Sequence, residues 1–378
     1  MKVVKIFADS EIEWNCSQWR DLTPADNINR VAATNEKYKN WSAKLIHVSG
    51  ALDYLNPAIQ DIIGPADIIT VQRNLLTEEL FDAIRYWQGM GKPFTADLDD
   101  AYPILPWSNP AHEFWINDPH DVKPLEKLED GIRLCGHLCS PNRFILQDWS
   151  HVARGYHLPN FAERAWWTNL KDRQTMKKEL GLENRIVIGW GGSVSHYDSW
   201  WGSGIREATT KITDHYPEVV WMICGNDPRL YEQLPVHKDN KILQPGVEPA
   251  KWPQIIKTFD IGIAPLFGLY DQRRSWIKTL EYGLASVPWI ASAGEPYSDH
   301  KQLGKLVNGV AREWEHAIET TIKNLKREQI VAEQRVKYYQ QWFADNQLPA
   351  FERVYTAIIN NHREMIGRLP GLHFVNWK

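Results

Sequence analysis

Short apolar runs alternate with amphipathic stretches through the first part of the chain. The runs predict strands over residues 3–8, 43–49, 66–72, 92–97, 137–140 and 156–160. Apolar positions three and four residues apart predict helices over residues 24–34, 78–88 and 125–134. Continuous apolar runs are typical of parallel strands that are covered on both faces. This part of the chain therefore predicts an α/β domain with a parallel sheet.

The same alternation restarts after a charged stretch that contains tryptophans and no predicted strand. Further strands are predicted over residues 185–189, 219–224, 241–244, 259–266, 287–290 and 304–307. Further helices are predicted over residues 205–215, 252–258, 314–327 and 328–345, with helical patterns also from 275 and from 349 onward. The second part therefore predicts another α/β domain of the same class.

These patterns divide the chain into four regions. They are a first domain (1–160), a linker (161–182), a second domain (183–330) and C-terminal helices (331–378) that we expect to cross back onto the first domain. Two α/β domains joined by a linker predict a cleft, faced by the carboxyl ends of the strands.

Composition narrows the class of protein. The 378 residues are 43% hydrophobic and 24% charged, with a net charge of −4, which argues against a generally basic nucleic-acid binder. No run approaches the roughly 20 apolar residues that span a bilayer. The N-terminus enters a strand without a signal-peptide core, and four cysteines do not suggest a disulfide framework. We therefore expect a cytoplasmic protein.

Two features of composition have competing interpretations. The 19 tryptophans offer flat faces for sugars or bases, but most are expected to fill the core. Cys135, His137 and Cys139 resemble half of a zinc site, yet no second ligand pair lies near them in the sequence. Buried free thiols are the favoured interpretation, and no metal site is predicted.

Residues 259–292 carry the densest candidate chemistry. A buried strand is followed by Arg273 and Arg274 and then by a helix that includes Lys278 and Glu281. Cations beside a helix N-terminus suit a phosphate, and a helical start would put Arg274 and Lys278 on one face. The alternative is a solvated basic helix start, in which Glu281 pairs with Lys278.

A glycine turn after the first strand of the second domain is a further candidate. Gly191 and Gly192 allow close approach of a ligand to the backbone, and Ser193 adds a hydroxyl group. His196 is placed to touch a phosphate or a second substrate, although a surface histidine is equally consistent with its position.

Three aspartates end the predicted strand at residues 92–97. Asp97, Asp99 and Asp100 resemble a metal-binding DxD motif, but they lie in the wrong half of the chain to hold a diphosphate. Hydroxyl recognition or general-base assistance, and structural hydrogen bonding of the following loop, remain as equal alternatives. Trp19 and Arg20 either line the same side or pack and pair there.

Six segments resemble a known family in their order and spacing. They are LPN at 158–160, IGWGGS at 188–193, WMICG at 221–225, PGV at 245–247, DIGIAP at 260–265 and KTLEYG at 278–283. Together they resemble the GT-B-fold glycosyltransferases, most of all the retaining family 4 type and its divergent phage and bacterial members. The resemblance implies two Rossmann-like domains with parallel sheets that face a central cleft.

The chain also departs from that family. Members usually carry two glutamates eight positions apart; Glu281 matches the second, but Arg273 stands at the first. Asp271 is the candidate to supply the missing contact. The glycine-rich loop expected near residues 9–20 is absent, and a family histidine is replaced by the aspartate cluster 97–100.

The resemblance implies transfer of a sugar from a nucleotide-diphosphate sugar to an acceptor hydroxyl with retention. The acceptor would be a glycan, a lipid-linked sugar, a protein or a modified base in phage DNA, within a host cytoplasm if the gene is phage-borne. No cofactor is expected, and a divalent metal is not expected to be essential. The alternatives are a sugar-nucleotide epimerase and an inactive sugar-nucleotide-binding protein.

The resemblance and the residues together give two candidate sets. The catalytic candidates are Asp99, Asp100, His196 and Asp271. The donor-binding candidates are Gly191, Gly192, Ser193, Gly246, Val247, Arg273, Arg274, Lys278 and Glu281.

Overall fold

A computed structural model describes residues 1–13 and 16–367. The chain divides into two compact units. Unit 1 contains Met1–Pro103, Phe114–Glu163 and the chain from Phe343 onward. Unit 2 contains Ile104–Glu113 and Arg164–Trp342. Residues 368–378, part of the predicted C-terminal region, lie outside the described residues.

The strands fall into two sets, one in each unit. Unit 1 holds β1 (Lys2–Phe7), β2 (Ser42–His47), β3 (Ile68–Gln72), β4 (Phe94–Asp97), β5 (His137–Ser140) and β6 (Arg154–His157). Unit 2 holds β7 (Ile186–Gly191), β8 (Val219–Cys224), β9 (Lys241–Gln244), β10 (Ile261–Ala264), β11 (Trp289–Ser292) and β12 (Lys305–Val307).

Helices connect nearly all of these strands. Those before residue 164 are α1 (Thr23–Thr34), α2 (Val48–Ala51), α3 (Pro57–Ile63), α4 (Glu78–Gly89), α5 (Pro124–Cys135) and α6 (Arg143–Asp148). Those that follow are α7 (Arg164–Trp167), α8 (Arg173–Glu179), α9 (Tyr197–Gly202), α10 (Ile205–His215), α11 (Arg229–Gln233), α12 (Trp252–Lys257), α13 (Gly268–Asp271), α14 (Ile277–Leu284), α15 (Glu295–Ser298), α16 (Ala311–Lys323), α17 (Leu325–Gln340) and α18 (Leu348–Gly367). Within the described residues, no helix combines the length and apolarity needed to cross a membrane.

Both sheets are parallel, and each reverses its strand order once. The sheet of unit 1 has the order β2-β1-β3-β4-β5-β6, and that of unit 2 has β12-β11-β10-β7-β8-β9. The second order is that of a dinucleotide-binding sheet, in which the reversal falls between the first and fourth strands, here β7 and β10. Ligands of such sheets bind beyond the carboxyl ends of the strands at the reversal.

One helix start has the cap predicted from the sequence, and four elements have the predicted bounds. The Thr77 hydroxyl accepts a hydrogen bond from the Leu80 N–H at 3.3 Å, so the predicted cap of α4 is confirmed. The predictions of β5, β8, β9 and α10 are confirmed with the same bounds.

Other predicted bounds were wrong. The strand predicted at 156–160 ends at His157, and Pro159, which lacks an N–H, lies beyond it. The helices predicted at 314–327 and 328–345 divide at Asn324, whose side chain donates to the Thr320 carbonyl, and the second helix ends at Gln340.

The core of unit 2 is unusually aromatic. Trp200 is fully buried between Trp190 and Trp221, and its ring meets both of theirs edge to face at centroid distances of 5.7 and 6.2 Å. This geometry is favourable for aromatic rings. Most of the tryptophans therefore serve packing, whereas Trp107 is 80% exposed.

A buried charge network holds the carboxyl edge of unit 1. The Arg20 guanidinium donates to both oxygens of Asp97, at 2.7 and 2.9 Å, and also to the carbonyl of Leu158 and the side chain of Asn160. Arg20 and Asp97 are each 2% exposed at the side chain. The pair joins the chain after β6 to the end of β4, so Arg20 packs and pairs, as one of the two predicted alternatives had it.

Replacement of Arg20 by leucine is expected to destabilise unit 1 strongly. The Asp97 carboxylate would remain buried without its partner, which typically costs about 3–5 kcal/mol. Urea unfolding followed by circular dichroism measures the change. The matched control is Arg30→Leu, because Arg30 is 44% exposed and its pairs with Glu163 and Asp345 are expected to contribute about 0–1 kcal/mol. Equal losses in the two variants would contradict the prediction.

Candidate functional site

The candidate site of unit 2 lies where β7 and β10 end. Strand β7 finishes at Gly191, and the N–H of Gly192 donates to the Cys224 carbonyl of β8 at 3.1 Å. A Cβ atom at Gly191 would lie 2.5 Å from the indole of Trp252. The strand end is therefore glycine because an aromatic ring occupies the space of a side chain.

Two cations converge on the segment that follows β7. The Lys278 ammonium donates to the Gly191 carbonyl and lies 5.4 Å from the centre of the Trp190 ring. The Arg274 guanidinium donates to the Ser195 carbonyl at 2.6 Å. Lys278 thus meets the predicted glycine turn, and Arg274 meets the backbone just beyond it.

His196 lies beside these cations. Its ring meets the edge of the Trp190 ring at 6.2 Å, and its Nδ1 atom is buried without a hydrogen-bond partner. Burial, reinforced by the charges of Arg274 and Lys278, holds the pKa of His196 well below its usual value. The imidazole is therefore neutral at physiological pH and keeps an unsatisfied ring nitrogen near the turn.

Lys278 and Glu281 are both buried enough to have perturbed ionisation. Burial lowers the pKa of Lys278 to about 8, opposed by the charge of Glu281. Burial raises the pKa of Glu281 to about 7, opposed by a hydrogen bond from the Trp252 indole at 3.1 Å. Lys278 is hydrogen-bonded to Gly191, and Glu281 is hydrogen-bonded to Trp252. The charge of each side chain therefore affects the pKa of the other through space.

Asp271 organises the loop before α14. One carboxylate oxygen accepts the Phe267 N–H at 2.7 Å, and the other accepts Nε of Arg274 at 2.8 Å. The Arg274 guanidinium also lies 4.6 Å from the centre of the Tyr270 ring. Asp271 is 2% exposed and acts on the site through Arg274.

Both arginines lie in a loop before the helix, as predicted, but the prediction that Arg274 and Lys278 share one helical face was wrong. Helix α14 begins at Ile277, because the chain first forms α13 and a turn closed by hydrogen bonds to Tyr270 and Asp271. Arg273, which donates to the Leu269 carbonyl at 2.9 Å, and Arg274 therefore precede α14. Arg274 reaches the site from a loop and does not share a helical face with Lys278.

A loop remote in sequence supports the same region. Residues 104–113 follow β4 along the chain but pack in unit 2. Ser108 donates to Asp198 at 2.7 Å, and the Asn109 amide donates to the Tyr270 hydroxyl at 3.1 Å. No local pattern in the sequence indicates this contact, since Asn109 and Tyr270 are 161 residues apart.

The remaining donor candidates lie at the rim of the sheet. The Gly246 N–H donates to the Asn226 side chain at 2.8 Å, and Gly246 itself is exposed after β9. Val247 is half-buried beside it. The Ser193 hydroxyl is exposed and shares a hydrogen bond of 2.7 Å with Ser195.

A second polar cluster lies at the carboxyl edge of the unit 1 sheet, where its strand order reverses between β1 and β3. Asp9 accepts hydrogen bonds from the N–H and hydroxyl of Ser17 and pairs with Arg73. The side chain of Gln72 bonds to Ser17 through its oxygen, and its amide nitrogen is buried without a partner. This edge therefore holds the ion pair of Asp9 and Arg73 beside an uncharged amide nitrogen with open hydrogen-bonding capacity.

The predicted aspartates do not share one environment. Asp97 is committed to Arg20, whereas one Asp99 oxygen is buried without a hydrogen-bond partner. Burial raises the pKa of Asp99, opposed by the charge of Arg73. Asp100 accepts the Ala101 N–H at 3.0 Å, as a structural interpretation expects. The Tyr102 hydroxyl is also buried without a partner.

No group of three or more potential metal ligands is found among the described residues. Cys135, Cys139 and Cys224 are buried free thiols. Burial raises the pKa of Cys135 and of Cys139 to about 12, which keeps both protonated.

Comparisons with known proteins identify the fold. No protein-family model and no curated protein sequence matches the chain. Among solved structures, HepE of Anabaena, in complex with UDP and glucose, aligns with a TM-score of 0.60 at 14% identity over 98% of this chain and 100% of its own. Sucrose-phosphate synthase of Thermosynechococcus elongatus gives 0.62 at 11% over 97% and 100%. S. aureus MnaA, in a structure with UDP, gives 0.52 at 12% over 95% and 98%.

The chain has the GT-B fold, with two Rossmann-like units that each contain a parallel six-stranded sheet. The predicted fold class is confirmed in these respects.

Replacement of Gly191 by alanine is expected to destabilise unit 2. The new methyl group would overlap the rigid Trp252 indole, and overpacking of this kind costs about 1–3 kcal/mol. Thermal unfolding measures the loss. Gly89→Ala is the control, because no atom lies within 4 Å of a Cβ at this exposed end of α4, so a stabilisation of about 0.4–1 kcal/mol is expected instead of a loss. An unchanged midpoint in Gly191→Ala would contradict the close contact.

Proposed function

We propose that the protein is a glycosyltransferase that moves a sugar from a nucleotide-diphosphate sugar to an acceptor hydroxyl. The observation that carries this proposal is the convergence of Arg274, Lys278 and the neutral His196 on the backbone after β7. Cations at the reversal of a dinucleotide-type sheet form a seat for a diphosphate. GT-B proteins of similar fold have been solved with UDP.

The donor residues have separate roles in this proposal. Lys278 and Arg274 bind the diphosphate beside the turn of Gly191 and Gly192, and the exposed Ser193 hydroxyl donates to it. Glu281 accepts the ribose hydroxyls, as a carboxylate is suited to do. Gly246 and Val247 meet the base, and Arg273 faces the sugar. UDP is the proposed nucleotide, since HepE binds UDP-glucose in its solved complex.

The acceptor is proposed to bind at the carboxyl edge of unit 1. The unpartnered Asp99 oxygen there accepts a hydrogen bond from the acceptor hydroxyl and orients it, and Asp100 supports the same loop. The acceptor is a glycan, a lipid-linked sugar, a protein or a modified DNA base. In the proposed domain scheme, residues 1–160 serve the acceptor and residues 183–330 the donor.

The proposed reaction retains configuration, as in the family 4 type. The bond between the sugar C1 and the diphosphate oxygen breaks as the acceptor oxygen bonds to C1 on the same face, and the hydroxyl proton passes to the departing diphosphate. Arg274 and Lys278 stabilise the charge that develops on the diphosphate. His196 lies beside it, and Asp271 holds Arg274 in place. No cofactor is part of this scheme, and the proposed location is the cytoplasm.

Loss of either charged side chain of the proposed donor site, Arg274 or Glu281, is expected to weaken UDP binding. Arg274→Ala removes a charged hydrogen-bond donor to phosphate, and Glu281→Ala removes the ribose acceptor; each should lower affinity about 10- to 100-fold by calorimetry. Lys211→Ala and Glu315→Ala are the controls, since these residues form an exposed ion pair at 2.9 Å between α10 and α16. Unchanged affinity in both site variants, with folded protein, would refute the donor site.

Product analysis distinguishes the proposed reaction from the alternatives. Incubation with UDP-glucose and a panel of acceptors is expected to release UDP and form a glycoside with the anomeric configuration of the donor, assigned by NMR coupling constants. Conversion of the sugar nucleotide to its epimer without an acceptor would identify an epimerase instead. Tight UDP binding with neither product would identify a binding protein.

A further inference from the structure

Trp252 contacts two parts of the proposed donor site through its indole and closes the neighbouring loop through its backbone. Its ring covers Gly191, where a Cβ would lie 2.5 Å from the ring edge, and its N–H donates to Glu281 at 3.1 Å. Its backbone N–H bonds to the Glu248 and Pro249 carbonyls, which closes the loop that carries Gly246 into α12. The resemblance to a family assigns no role to this tryptophan.

We propose that Trp252 is a positioning residue that fixes the Glu281 carboxylate for the ribose hydroxyls of a nucleotide diphosphate. This inference rests on the proposed function. The hydrogen bond from Nε1 orients one carboxylate oxygen and leaves the other for a ligand. Contact of the same ring with Gly191 sets the spacing between the ribose acceptor and the diphosphate turn.

The hydrogen bond also governs when Glu281 is ionised. Burial raises the pKa of Glu281 to about 7, while the Trp252 donor and the Lys278 charge both favour the carboxylate. The other titratable or charged groups that interact with Glu281 or with Lys278 are Tyr282, Arg274, Asp271, Cys224 and His196. Loss of the indole donor therefore raises the pKa of Glu281 further.

The direction in which affinity changes with pH follows from the ionisation state of Glu281 that binds the ribose. If the ribose binds the carboxylate, affinity increases with pH through the pKa of Glu281 and levels off above it. The pKa of Lys278, about 8, sets the opposite limit, since its charge is lost as the pH rises through that value. The informative part of the pH profile, its rising limb, is thus the increase in affinity below about pH 8.

The test is UDP-glucose affinity as a function of pH, by calorimetry. UDP-glucose is the probe because its diphosphate is esterified at both ends, whereas a terminal phosphate titrates near pH 6. In Trp252→Phe, which keeps an aromatic ring over Gly191, the rising limb should move to higher pH by about 1 unit. Affinity at pH 7 should decrease about 5-fold, because the ionised fraction of Glu281 falls from about one half to about one tenth, and Glu281→Gln should abolish the rising limb.

Trp289→Phe is the matched control. Trp289 is a buried tryptophan of the same unit, and its indole donates to the Tyr339 hydroxyl at 2.8 Å. This variant loses an equivalent hydrogen bond elsewhere, so the position of the limb should not change. Equal weakening of Trp252→Phe at every pH, or no change, would overturn the positioning role while the donor site stands.

A ligand-free measurement keeps this inference separate from the proposed function. The 13C carboxyl resonance of Glu281, assigned by its absence in Glu281→Gln, reports the pKa directly. Trp252→Phe should raise that pKa by about 1 unit, and Trp289→Phe should not. If wild-type protein binds no UDP-glucose, the proposed function fails. An unshifted carboxyl pKa in Trp252→Phe instead refutes the role of the tryptophan.

Discussion

The contact between the Trp252 indole and Gly191 constrains the candidate donor site more than any single charge does. The ring occupies the volume of a side chain at the end of β7, and the carbonyl of the same glycine accepts the Lys278 ammonium. The indole N–H holds Glu281. One rigid ring thus packs against the strand end that holds the cation and donates to the carboxylate. A shift of α12, which carries Trp252, would therefore displace the strand end, the cation and the carboxylate relative to one another.

The charged groups of the candidate site in unit 2 favour the binding of an anion. Arg274 is held by Asp271, but the hydrogen-bond partner of Lys278 is a backbone carbonyl, and burial weakens its charged form. Burial likewise weakens the charged form of Glu281. Charged groups whose desolvation outweighs the nearby counter-charges are destabilised, and a diphosphate beside Lys278 would relieve that cost for the ammonium group. Perturbed groups of this kind are typical of functional sites.

The sequence predicted the fold class because alternation of apolar runs and amphipathic helices is a local signal. It also placed Gly191, Arg274 and Lys278 in one region, since parallel strands end at a common edge. It did not predict the bond between Trp252 and Glu281, 29 residues apart, or that between Arg20 and Asp97, 77 apart. Such contacts depend on tertiary packing and leave no periodic pattern. The start of α14 was missed because Asp271 closes the preceding turn.

Arg273, in the loop before α14, is a hydrogen-bond donor at a position where the family pattern has a hydrogen-bond acceptor. A glutamate, as the family pattern has it, accepts hydrogen bonds, whereas a guanidinium only donates. Arg273 donates to the exposed loop at Leu269, and Asp271 already accepts at both oxygens, from Phe267 and Arg274. Asp271 therefore contributes by holding Arg274, the proposed phosphate-binding cation. A sugar at this position would be recognised through its own acceptor atoms, which separates its chemistry from that of the ribose at Glu281.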